Sequence, residues 1–144
     1  MNINSETTEA FPETIEAVWQ AALKARENAF VPYSNFQVGA AVQLSDRPEI
    51  VVGCNVENAS YGATMCAERS AIFSACSQFG KQAIEYIVVV TGEPEATVPC
   101  GLCLQVMAEF CHPSMMVYSG NQDGITGQWA LRDLLPKPFT NFPA

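Results

Sequence analysis

The sequence of 144 residues has little histidine, few basic residues and no long apolar run. It contains one histidine and 7 Lys and Arg against 15 Asp and Glu, which gives a formal net charge of -8. Binding to a nucleic acid backbone requires clustered Lys and Arg, so this balance argues against a polynucleotide partner. The polar, acidic stretch 1–13 does not look like a leader, and no run is long enough to span a membrane. We expect a soluble, cytoplasmic protein that binds neither nucleic acid nor membrane.

Six cysteines stand out in a chain of this size. The length is sufficient for one hydrophobic core and short for two, so we predict a single domain over 14–144 behind a flexible tail, 1–13. Without an export signal the chain is not typical of a disulfide scaffold, and reduced thiols are expected. Metal binding is then the simplest use of the Cys-x-x-Cys pair.

Two short stretches, Cys66-Ala67-Glu68-Arg69 and Pro99-Cys100-Gly101-Leu102-Cys103, carry the most specific signal. Structural zinc sites use four protein ligands, whereas catalytic sites use three and leave one position for water. These stretches supply three thiols. The other cysteines are more simply interpreted as small buried hydrophobic residues: Cys54, Cys76 and Cys111. The histidine, His112, is interpreted as a surface or helix-end residue.

The residues that follow the first thiol suggest a catalyst. Glu68 can take a proton from a zinc-activated water and return it first to a ring nitrogen and then to a leaving amine. Alone it would be interpreted as an ordinary first-turn glutamate. Three thiolates leave the zinc site at net -1, and Arg69 is the candidate cation that offsets this charge, a surface helix arginine being the alternative. The pattern indicates a zinc-dependent hydrolase.

Periodicity predicts an α/β fold, a mixed sheet of about five strands with helices on both faces. The predicted helices span 14–30, ended by Pro32, then 66–79, ended by Gly80, and 100–111. The predicted strands span 36–44 and 50–56 as a hairpin, 84–90, 115–118 and a short 128–130, before a turn at 131–135. Both cysteine stretches then begin helices, where free N–H groups and the helix dipole favour thiolate.

The chain resembles the cytidine deaminase family in its small-subunit, homotetrameric branch, over about 12–139. Besides the two cysteine stretches, the resemblance rests on 32–41 (PYSNFQVGAA) and 55–61 (NVENASY). It implies a three-layer α/β/α fold, a Zn²⁺ cofactor held by Cys66, Cys100 and Cys103, and a pyrimidine nucleoside and water as substrates. The implied reaction converts cytidine or deoxycytidine to the uridine product by hydroxide attack at C4, with release of ammonia and with Glu68 as proton shuttle.

The resemblance also implies substrate contacts. Asn55 and Glu57 would bind the ribose 3′-hydroxyl, Phe36 would stack on the pyrimidine, and the Ala67 amide would contact its carbonyl oxygen. The C-terminal segment LLPKPF, 134–139, would place Phe139 in the site of a neighbouring subunit. Tyr61 would likewise act near the sugar in trans, so the resemblance implies a homotetramer with active sites shared between subunits.

One residue departs from the family pattern. Leu104 follows the second cysteine of Cys-x-x-Cys, where the family usually has arginine, so Arg69 would carry more of the charge compensation. A less acidic zinc water, slower turnover or an altered substrate could follow, and a nucleoside antibiotic or an N4-substituted cytidine stays open as substrate. Two other classes also stay open: a C-G-x-C thiol redox protein, and a zinc-stabilised binding module without catalysis.

Overall fold

The computed structural model describes residues 15–141, so the predicted tail 1–13 lies outside the described residues. Its centre is one five-stranded sheet in the order β2-β1-β3-β4-β5. Neighbouring strands pair antiparallel except β3 and β4, which are parallel. The strands are β1 (Gly39–Leu44), β2 (Ile50–Cys54), β3 (Ile84–Val90), β4 (Met116–Asn121) and β5 (Gly124–Ala130). The predicted mixed sheet is confirmed.

Helices cover both faces of this sheet, as predicted. They are α1 (Ile15–Arg26), α2 (Ala67–Phe79), α3 (Gly101–Phe110) and the short α4 (Leu131–Leu134). Successive strand residues point to opposite faces, so Val42 and Ile87 pack with α2 and α3, whereas Ala41 and Val88 pack with α1. Burial on both faces explains why β3 is apolar almost throughout.

Several predicted boundaries are wrong. The first helix ends at Arg26, well before Pro32. The first strand begins at Gly39, because the Asn55 side chain pairs with 36–38 in place of a strand: Oδ1 accepts from Val38 N–H at 2.9 Å and Nδ2 donates to the Phe36 carbonyl at 2.7 Å. The second strand ends at Cys54, where this pairing begins.

The last hairpin is also longer than predicted. β4 continues to Asn121 and β5 starts at Gly124, so the expected strand 128–130 is only the end of a seven-residue strand. The turn between them is stabilised by Asn121, whose Oδ1 accepts from Asp123 N–H at 2.8 Å. Within residues 15–141, no helix is long and apolar enough to cross a membrane.

The strand register brings together the chain segments that surround the site. Gly39 pairs with both Cys54 and Val90, so the start of β1 and the ends of β2 and β3 lie side by side. The residues just outside these strand ends therefore meet at one end of the sheet. The first turns of α2 and α3 face the same end, as the site residues below show.

Candidate active site

Three thiols converge at this end of the sheet. The Sγ atoms of Cys66, Cys100 and Cys103 all lie within 4.8 Å of one another, and Cys66 Sγ is 3.8 Å from Cys100 Sγ. Cys66 is the N-cap residue of α2, Cys100 is the N-cap residue of α3, and Cys103 lies one turn further along α3. Two helix N-termini thus bring the predicted ligands into one cluster.

The donor set fits a zinc ion. Thiolates are preferred zinc ligands, and three leave a fourth tetrahedral position for water. Among residues 15–141, these three cysteines form the one cluster of His, Cys, Asp or Glu side chains close enough to hold a metal. No fourth side chain of these types belongs to the cluster. The half-buried Cys54, Cys76 and Cys111 do not join it. His112 is exposed beyond α3, as predicted, and its Nδ1 accepts from Ser114 N–H at 3.1 Å.

Hydrogen bonds within the cluster favour the thiolate form of Cys66 and raise the pKa of its donor, Cys103. The hydrogen bond from the Cys103 thiol, followed by that from Arg69, lowers the pKa of Cys66 to about 5. Arg69 donates from Nη2 to Cys66 Sγ at 3.4 Å. Its Nε is buried and has no hydrogen-bond partner among the described residues. The Nη2 contact directs the guanidinium at the sulfur cluster.

Glu68 lies beside the thiols in the first turn of α2, with only 5% of its surface exposed. Burial raises the pKa of its carboxyl to about 7, and the negative charge of Cys66 adds to this effect. An ordinary first-turn glutamate, exposed to solvent, would have kept its usual pKa. A buried carboxyl of this kind can both accept and donate a proton near neutral pH.

A cleft with a volume of about 190 Å³ opens beside the thiol cluster, and Glu68 lines it. Of the predicted contacts, Phe36, Asn55 and Ala67 line it together with Cys66 and Cys100. The end of β3 and the following loop form another part of the wall: Val89, Thr91, Thr97, Val98 and Pro99. Thr91 was not among the predicted site residues. The signal available in the sequence was a polar residue directly after an apolar strand.

Two further predicted contacts line a second cleft of about 300 Å³. Glu57 and Tyr61 lie there with Tyr33 and Ser34. The Glu57 carboxylate accepts from the amides of Tyr33 at 3.0 Å and Ser34 at 3.1 Å and from the Ser34 hydroxyl. These bonds, the hydroxyl's first, lower the pKa of Glu57. Ser34 Oγ also accepts from the Phe36 amide, at 3.0 Å, so the two clefts are neighbours.

Phe139 and Leu104 lie outside both clefts. Phe139 is 59% exposed, and its backbone is bound to Gln105 of α3. Leu104 is buried in the apolar core between the helices and the sheet. The chain therefore brings the three predicted ligands into one cluster. Two of these ligands, Glu68 and three of the predicted substrate contacts line one cleft, and two more contacts line the neighbouring cleft.

Comparison with known proteins agrees with this geometry. The model of the family described as "Cytidine and deoxycytidylate deaminase zinc-binding region" matches residues 12–119. The chain belongs to this family. A cytidine deaminase of Halalkalibacterium halodurans is 48% identical over 119 residues, 83% of this chain and 89% of the relative. A cytidine deaminase of Sporosarcina psychrophila is 44% identical over 126 residues, 88% of this chain and 91% of the relative.

Solved structures of family members share the fold. The cytidine deaminase of Burkholderia pseudomallei superposes with a TM-score of 0.78 at 45% identity, covering 86% of this chain and 98% of its own. The cytidine deaminase of Mycobacterium tuberculosis gives 0.74 at 34% identity, with 90% and 100% covered. The family resemblance, the α/β fold and the zinc cofactor inferred from the sequence are confirmed.

Proposed function

We propose that the chain is a zinc-dependent hydrolase that converts cytidine and deoxycytidine to uridine and deoxyuridine with release of ammonia. One observation carries this proposal: three thiols able to hold zinc lie together, and two of them, Cys66 and Cys100, line a cleft with the buried carboxyl of Glu68. The names of the relatives support the substrate class.

Cys66, Cys100 and Cys103 would hold the zinc, which when bound supplies a water whose pKa is lowered to about 7. Glu68 moves the protons. Its carboxylate takes one from the attacking water and passes it to a ring nitrogen, and it then carries the water's second proton, left on the oxygen at C4, to the leaving amine. The low exposure of Glu68 keeps bulk water from competing for these protons. Arg69 offsets the charge of the thiolates.

Substrate recognition divides between the two clefts. Phe36 forms a wall of the first cleft on which a pyrimidine can stack, and the Ala67 backbone lies beside the thiols. Asn55 uses one of its N–H donors to hold Phe36, and the other can reach a sugar hydroxyl. Glu57 accepts three hydrogen bonds from its own chain, and a carboxylate can accept about four. These residues suit a nucleoside whose base occupies the first cleft and whose sugar reaches toward the second.

The active unit is a homotetramer with shared sites. Large apolar side chains are exposed on the chain surface, which is typical of a surface that a partner covers. Tyr61 is 74% exposed and makes an edge-to-face contact with Tyr33, at 5.7 Å between ring centroids. Phe139 is exposed and lies outside its own cleft. The exposure of both side chains supports contact with a neighbouring copy, and the reduced thiols suit the cytoplasm.

The other functions considered from sequence fit less well. A Cys100–Cys103 redox pair would leave Cys66 unused, yet its sulfur lies 3.8 Å from that of Cys100. A binding module without catalysis gives no role to a buried Glu68. Leu104 does not line the cleft, so its presence offers no contact that would favour a modified cytosine.

The test combines zinc quantitation with an ammonia-release assay on cytidine, deoxycytidine, N4-methylcytidine and free cytosine. We expect one zinc per chain and turnover of the first two compounds. Glu68→Gln should abolish turnover and keep zinc, whereas the matched charge change Glu109→Gln, at an exposed position of α3, should keep both. Turnover by Glu68→Gln, or wild-type protein with zinc but no ammonia release, would contradict the proposal.

A further inference from the structure

One side chain fixes the C-terminal segment to α3. Gln105 Nε2 donates to the Phe139 carbonyl oxygen at 2.5 Å, and the Phe139 amide donates to Gln105 Oε1 at 3.2 Å. The two residues are 34 positions apart in the chain. Because one amide group makes both bonds, it fixes the orientation of the Phe139 backbone as well as its position.

This pair connects Phe139 to the zinc ligands through rigid structure. Gln105 lies in α3, the helix whose first turn contributes Cys100 and Cys103 to the thiol cluster. Leu102, on the same side of α3 one turn before Gln105, is 66% exposed, and Phe139 is 59% exposed. The surface around Gln105 thus carries two exposed apolar side chains at a defined place relative to the thiols. This surface belongs to α3, the helix that positions the zinc ligands Cys100 and Cys103.

We propose that Gln105 is a positioning residue for deamination: it holds Phe139 ready to cover the cleft of a second copy of the chain. The proposal rests on the proposed function and on its shared sites. Ordering a mobile segment when substrate binds would cost conformational entropy in every turnover. A segment already fixed by Gln105 avoids that cost.

A purely structural role for Gln105 makes different predictions. If Gln105 only fastened the segment for stability, its loss would lower the melting temperature without a specific effect on substrate. If it positions Phe139, its loss should act mainly on KM and should depend on the presence of the Phe139 ring. A double-mutant cycle separates the two, since residues that act through one another are not additive.

The experiment compares Gln105→Ala and Gln105→Glu with Gln82→Ala, a matched control. Gln82 also donates to a phenylalanine carbonyl, that of Phe79, but at the end of α2 away from the cleft. For each zinc-loaded protein we would measure amide hydrogen exchange at Phe139 by NMR, and kcat and KM with cytidine. Gln105→Glu keeps the oxygen that accepts from the Phe139 amide and loses the N–H group that donates to its carbonyl. This variant therefore tests the proposal even if Gln105→Ala folds poorly.

We expect faster exchange of the Phe139 amide in Gln105→Ala and a kcat/KM about tenfold lower, mostly through KM, as for the loss of one to two ordinary hydrogen bonds. Gln82→Ala should match wild type, and Gln105→Ala should add nothing in a Phe139→Ala background. Unchanged exchange, unchanged KM or full additivity would overturn the positioning role. A further outcome is that wild-type protein releases no ammonia while Gln105→Ala still speeds exchange of the Phe139 amide. That result would contradict the proposed function but would support the contact between Gln105 and Phe139.

Discussion

Gly53 gives a stringent structural prediction, because β2 runs there against the first turns of α2. A Cβ built at Gly53 would lie 2.4 Å from Ala71 N, 2.7 Å from Ala67 O and 2.8 Å from Ser70 Cβ. Ordinary contacts of this kind are near 3.5 Å. Gly53→Ala must therefore push β2 and α2 apart by roughly 1 Å, since two of the three atoms belong to backbone that cannot rotate away.

Such overpacking typically costs about 1–3 kcal/mol. We expect the upper end, which for a chain of this length lowers the melting temperature by roughly 10 °C. Because α2 begins beside Cys66, the same displacement should lower zinc occupancy. Thermal unfolding and zinc content of the purified variant measure the two effects.

Gly101→Ala is the matched control. Gly101 also lies beside a zinc ligand, but a Cβ there meets nothing within 4 Å. Alanine favours a helix over glycine by about 0.5–1 kcal/mol, so this variant should be as stable as wild type or more so. A Gly53→Ala protein that melts within about 2 °C of wild type with full zinc would refute this packing of β2 against α2.

Three further predictions follow from the site and its surroundings. Cys66→Ala should lose zinc and melt at the temperature of chelator-treated wild type, whereas Cys76→Ala, outside the thiol cluster, should keep zinc; equal zinc in both would contradict the ligand assignment. Leu104→Arg should melt several degrees below wild type, because it removes a buried leucine. Burial of such a side chain stabilises the fold by about 1.5–3 kcal/mol. A higher melting temperature would mean that a second cation beside the thiolates outweighs that loss. Glu57→Gln should reduce stability most near neutral pH: the hydrogen bond from Ser34 lowers the folded pKa of Glu57 below its ordinary 4.5, so its contribution is present above that pH and is lost on acidification. Melting curves of wild type and Glu57→Gln should converge below pH 4.5, and a constant difference down to pH 3 would count against it.

The fold could be predicted from the sequence where one pattern dominated. The apolar run of β3 predicted a central strand because burial on both faces requires it. The helix that ends at Gly80 was correctly bounded because this glycine has a φ of 75°, a conformation that other residues rarely adopt. These are local signals with a direct physical cause.

The prediction failed where a distant side chain decided the structure. Alternating apolar residues predicted a strand from Phe36, but the Asn55 side chain bonds the Val38 amide and the Phe36 carbonyl, and no strand forms over 36–38. No local pattern reveals that contact. The start of β5 was missed for another reason: Asn121–Gly124 has turn composition, but the strand after it alternates too weakly in hydrophobicity to be recognised.

Ligand types and spacing predicted the chemistry of the site better than its walls. The thiols and Glu68 follow from two short stretches at helix starts. Thr91 and Thr97 reach the cleft because β3 ends there and the loop folds back, with the Thr97 amide donating to Ser119 Oγ at 2.8 Å. This wall depends on tertiary contacts between separate strands, which sequence spacing does not report.

The most direct test is X-ray absorption at the zinc edge of the purified protein. We expect three sulfur neighbours at about 2.3 Å and one oxygen or nitrogen neighbour at about 2.0 Å. That result would establish three cysteine ligands with one position left for water. Four sulfur neighbours, or protein without zinc that nevertheless deaminates cytidine, would contradict the site described above.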